Sequence, residues 1–160
     1  MRKIAFVAAL VLVVAGFAGC GQQEEPQAEI TFDESKSPIE VLSSSKSISP
    51  IPTFNVTVKN VCPYNVSGFN ASAVFFDENN KPLSKEPVSV PYDAMLDPIK
   101  PDTTVELQTI GEEKAVSMKI VIKDCIYMKM NPVDKLYGEL PYSWKNKDFD
   151  KQVKALLEGK

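Results

Sequence analysis

Twelve prolines, from Pro26 to Pro141, cut this 160-residue chain into short segments, and between them apolar and polar residues alternate. A period of two sends successive side chains to opposite faces of an extended strand, so the pattern selects half-buried β-strands over helices. Residues 53–61 set Phe54, Val56 and Val58 against Asn55, Thr57 and Lys59. Residues 69–77 put Phe69, Ala71, Ala73 and Phe75 on one side; Val74 and Phe76 on the other predict partial cover there too. Residues 103–110 and 115–127 alternate in the same way, and 39–42 and 88–90 are shorter candidates. Asp77-Glu78-Asn79-Asn80-Lys81-Pro82 reads as a turn, because Asp and Asn bond readily to nearby backbone. The same oxygens suit calcium, but the turn needs no metal. Six or seven short strands separated by turn residues predict an all-β sandwich.

The C-terminus has a different period. Phe149, Val153, Leu156 and Leu157 have helical spacing, and Asp148 or Asp150 is suited to start a helix running from about residue 147 to 158. The segment before it, residues 136–144, holds the only tryptophan and two of the five tyrosines. Tyr137, Tyr142 and Trp144 are therefore the candidate contact surface for a protein partner, since large aromatics dominate binding hot spots. The competing expectation is that Trp144 packs the tail onto the sandwich.

The N-terminus specifies destination rather than fold. Arg2 and Lys3 precede an unbroken apolar run from Ile4 to Ala15, followed by small residues. This is the layout of a secretory signal, and the run is short for a membrane span, which needs ~20 apolar residues. Phe17-Ala18-Gly19-Cys20 resembles the lipobox of bacterial lipoproteins, with Phe17 where that family usually has Leu. The resemblance implies cleavage before Cys20 and lipid attached to its sulfur, and hence anchoring to a membrane. It divides the chain into a signal peptide (1–19), a lipidated tether (20–28) and a folded domain (29–160). Gly21 stands where an Asp would favour inner-membrane retention, so the expected site is the cell membrane or outer membrane, facing the periplasm or exterior.

Charge and cysteine content narrow the function classes. The formal net charge is −3, and −5 once Arg2 and Lys3 leave with the signal, which argues against nucleic acid as a partner. With Cys20 lipidated, Cys62 and Cys125 remain, and in an exported protein such a pair is expected to form a disulfide worth about 4 kcal/mol. The chain has no histidine, so Ser-His-Asp and Cys-His centres are impossible, and two cysteines without histidine make a poor zinc site. Met128 and Met130, with Met118 or Met95, offer soft sulfur for copper, yet methionine also fills cores. The expectation is a non-enzymatic protein without cofactor or metal.

Three further stretches carry a second resemblance: Val56-Thr57-Val58-Lys59-Asn60, Val74 to Pro82, and Leu96-Asp97-Pro98-Ile99-Lys100-Pro101. Together they are similar to the immunoglobulin-like domains of envelope lipoproteins of the FxLYD type, over about residues 50–125. The turn differs, with Lys100-Pro101-Asp102 in place of Pro-Gly. The resemblance implies an immunoglobulin-like β-sandwich, here with a short C-terminal α-helix. On that scaffold the first functional expectation is an envelope module that presents a sheet or loop face to another protein. The second is capture of a small ligand or metal ion.

Overall fold

A computed structural model describes residues 32–94, 96–130 and 138–159. The signal peptide, Cys20, the tether, Met95 and Tyr137 lie outside the described residues. The elements are β1 (Ile39–Lys46), β2 (Thr53–Asn60), β3 (Asn65–Phe76), β4 (Val88–Asp93), β5 (Thr104–Ile110), β6 (Ser117–Met130), β7 (Glu139–Lys145) and α1 (Phe149–Leu157). All strand pairings are antiparallel, and the strands form two sheets, β1-β2-β5 and β4-β3-β6-β7.

The alternation read from the sequence is what builds the core. Phe54, Val56 and Val58 of β2 are buried, as are Phe69, Ala71, Ala73 and Phe75 of β3 and Leu107 of β5. Met118 and Ile122 join them from β6, and the tilted ring pair Phe54–Phe75 spans the two sheets with centroids 5.3 Å apart. Two bulges keep the long strands in phase. Val66 and Phe69 are both buried although three residues apart, and so are Ile122 and Cys125. The pairing of β3 with β6 skips a residue between Val66 and Gly68 and again opposite the Asn70–Ala71 step. Each skip restores the inward parity that strict alternation would lose.

Val74, Phe76 and Val121 are buried but stand apart from this inner core. They lie on the outer face of the second sheet, where α1 packs over β3 and β6 and buries Val153. Asn146 fixes the start of the helix: its side chain donates to the Ile122 carbonyl (2.9 Å) and to Gln152 (3.0 Å), and it accepts from the Asp148 N–H (3.0 Å). The cover predicted for Val74 and Phe76 is therefore supplied by the predicted helix.

Cys62 and Cys125 are a correction to the sequence reading. Both are buried free thiols, not a disulfide. The Cys62 sulfur points to the Tyr64 carbonyl at 3.3 Å, within its own turn. Cys125 faces the core from β6, paired with Phe69 on one side and Trp144 on the other. Both side chains belong to the same buried core at the end of the sandwich where β1 begins, without a bond between them.

Candidate functional site

Strand β7 decides the fate of the aromatic segment. Leu140, Tyr142 and Trp144 share its inner face, and Trp144 is buried opposite Cys125, packed in the core. Tyr142 is half-buried and stacks on Tyr127 (6.0 Å between centroids), which stacks in turn on Tyr64 (5.6 Å) and meets the edge of Phe32 (6.1 Å). The Lys129 ammonium sits 5.6 Å from the rings of both Tyr64 and Tyr142. Cation–π attraction of this kind holds the aromatic cluster closed. The Tyr127 hydroxyl donates to Glu34 (3.2 Å), and burial, reinforced by that carboxylate, pushes its pKa up to about 12.

The outer face of β4-β3-β6-β7 offers a different surface. Helix α1 covers the half of this face that holds Val74, Phe76 and Val121. Among the described residues nothing covers the other half, and a groove of about 650 Å³ runs across all four strands there. The pairing places Asp93, Gly68 and Ile126 in one row across the sheet, with Pro91, Asn70 and Asp124 in the next. Met128 and Pro141 lie beyond Ile126. Gly68 keeps the floor low: a Cβ there would come within 2.9 Å of the Tyr92 carbonyl oxygen. Ile126 is 45% exposed, high for a large aliphatic side chain in the middle of a sheet.

The groove is mostly apolar, and its charges share one sign. Asp93, Asp124 and Glu139 line it, and none of the described lining residues is basic. Asp124 accepts a hydrogen bond of 2.7 Å from Asn70 through one carboxylate oxygen. The sequence reading missed this surface. Its one signal was the outward set of residues 124–128, in which Ile126 and Met128 are apolar on a face that alternation assigns to solvent.

The other chemical candidates are dispersed. Met118 is buried in the core at the opposite end of β6 from Met128, so those two thioethers do not meet. Asp77 uses one carboxylate oxygen to accept the Asn79 and Lys81 N–H groups (both 2.9 Å), which is the turn chemistry read from the sequence. Burial pushes both thiol pKa values up, that of Cys125 the further, so neither is poised as a thiolate nucleophile or metal ligand.

No family model matches the chain, and no curated protein matches it significantly. Among solved structures it is similar to a hypothetical protein from Peptoclostridium difficile 630, with a TM-score of 0.55 and 11% sequence identity. The match covers 76% of this chain and 92% of that one. At this identity the likeness concerns the fold alone.

Proposed function

We propose that this chain is a membrane-anchored lipoprotein of the bacterial cell envelope that works as a non-enzymatic protein-interaction module on an immunoglobulin-like sandwich. The lipobox-like Phe17-Ala18-Gly19-Cys20 supports the anchor, with lipid on Cys20. Lettered in chain order, the sheets read A-B-E and C′-C-F-G, which supports the immunoglobulin-like label.

The observation that carries the interaction reading is the half of the outer sheet face that no described residue covers. An apolar sheet face left uncovered in this way supports a docking role. A photoreactive residue in place of Ile126, used in living cells, tests it. One dominant protein adduct is expected; a folded, abundant protein that yields none would overturn the reading. A second reading, capture of a small ligand in the same groove, draws on its volume, which is in the range of small-molecule sites. Few polar groups converge there, and the groove is open along its length, which favours a protein segment. The anchor is tested separately by the intact mass of membrane-extracted protein, which should carry acyl chains on Cys20, and by Cys20→Ser, which should leave the protein unlipidated.

A further inference from the structure

We infer that the groove on β4-β3-β6-β7 receives a segment of a partner protein in which apolar side chains alternate with lysine or arginine. This rests on the interaction reading above and specifies its chemistry. The floor formed by Gly68, Ile126, Met128 and Pro141 is apolar and low, so it accommodates side chains such as Leu or Val laid across the strands. Acidic groups stand on both sides of that floor: Asp93 on β4, Asp124 on β6 and Glu139 on β7. Asp93 lies in the row of Gly68, Ile126 and Ser143, whereas Glu139 pairs with Met130, four residues further along β6. The two carboxylates are therefore joined by a diagonal on the order of 20 Å, the length of about six extended residues. A segment crossing the sheet on that diagonal meets a carboxylate near each end and apolar surface between them. Lys145 stands across from Asp124 at one margin, but none of the described lining residues is basic, so at the Asp93 and Glu139 ends an acidic segment meets repulsion and a basic one gains complementarity.

The test uses the mature domain and a short labelled peptide alternating Leu and Lys, with Leu–Glu and Leu–Ser peptides of the same length as controls, read by fluorescence anisotropy. The Leu–Lys peptide should bind at least about tenfold more tightly than either control. Its affinity should fall with added salt, as screening of exposed charges requires. Two neutralising variants keep the shape of the groove: Asp124→Asn and Glu139→Gln. Together they should remove most of the preference for Lys, while Ile126→Ser should weaken the Leu–Lys and Leu–Ser peptides alike. Matching melting curves show that each variant is folded. Equal binding of all three peptides, or a preference for Lys that survives both neutralisations, would overturn the inference. If Ile126 crosslinks to a partner in cells while the peptide preference is absent, only the charge assignment fails; if no adduct forms, the interaction reading itself fails.

Discussion

Asn60 shows how one polar residue can hold an all-β core together. It is fully buried at the end of β2, and every polar atom of its side chain is used. Its amide donates to the carbonyls of Tyr64 (2.8 Å) and Ile99 (2.7 Å), and its oxygen accepts from the Cys62 N–H (3.0 Å). The side chain thereby ties the β2–β3 turn to the loop before β5. Asn60→Ala would strand the Cys62 N–H in the core, while the Ile99 carbonyl keeps the Val66 N–H and the Tyr64 carbonyl keeps the Cys62 thiol, at about 2 kcal/mol. Urea unfolding should show that loss, several times that of the exposed Asn79→Ala. In the sequence Asn60 stood out only as the last residue of the Val56–Asn60 stretch, because the partner that ties it across the fold, Ile99, lies 39 residues away. Tyr127 gives a pH prediction. Burial favours its neutral phenol, so its pKa in the folded protein stands above the ordinary value of about 10. Its contribution to stability is complete below pH ~10 and is lost as pH rises towards about 12. Ultraviolet titration should show a late tyrosinate step that Tyr127→Phe abolishes. The free-thiol assignment makes a third demand. Without reductant, an alkylating reagent should modify Cys62 and Cys125 slowly in the native state and both rapidly in urea. A pair that stays unreactive in urea would restore the bridge.

At the scale of elements, the sequence was clearest where burial alternates on a single strand and weakest where a strand looks unlike one. The inner faces of β2, β3, β5 and β6 could be read directly, because each presents a local period of two to the core. β7 was read as an aromatic contact segment because Pro141 sits in its middle. Proline is compatible with a strand at a sheet edge, where its missing N–H costs no ladder bond, and β7 is such an edge. Leu140, Tyr142 and Trp144 did carry the alternation. The helix was legible from its spacing, but its role was not. Nine residues cannot sustain a helix alone, so α1 depends on the sheet beneath it and on the Asn146 bonds at its start. Val153→Asp would set an unpaired charge against the apolar outer face. Amide exchange should then become fast throughout α1 while the inner strands stay protected, and the domain should lose about 2 kcal/mol. If exchange quickens equally in β2 and β5, α1 is part of the cooperative core rather than a cover.

For the whole molecule, the decisive arrangement is the closure of one end of the sandwich by the residues that lead into β1. Phe32 and Glu34 precede the first strand, yet both reach Tyr127 near the end of β6, one through an aromatic edge and one through a hydrogen bond. The same end holds Asn60, Cys62 and the Lys129 cluster. The groove was not legible in the sequence for the same reason that this closure was not. Both assemble residues from several strands, and a one-dimensional pattern reports which face a side chain takes, not which strand lies beside it. The arrangement separates two truncations that the sequence alone would treat alike. A chain beginning at Phe32 keeps both contacts and should melt with the mature protein. One beginning at Ser37 loses both, about 1–2 kcal/mol for a partly exposed aromatic pair and one hydrogen bond. For a domain of this size that corresponds to a fall in Tm of roughly 3–6 °C. Tyr127→Phe keeps the ring and removes only the bond to Glu34, so it should account for the smaller part of the fall. If the two truncations melt together, the lead-in segment is bound too loosely to close the end. The aromatic cluster must then be held by Tyr64, Tyr142 and Lys129 alone.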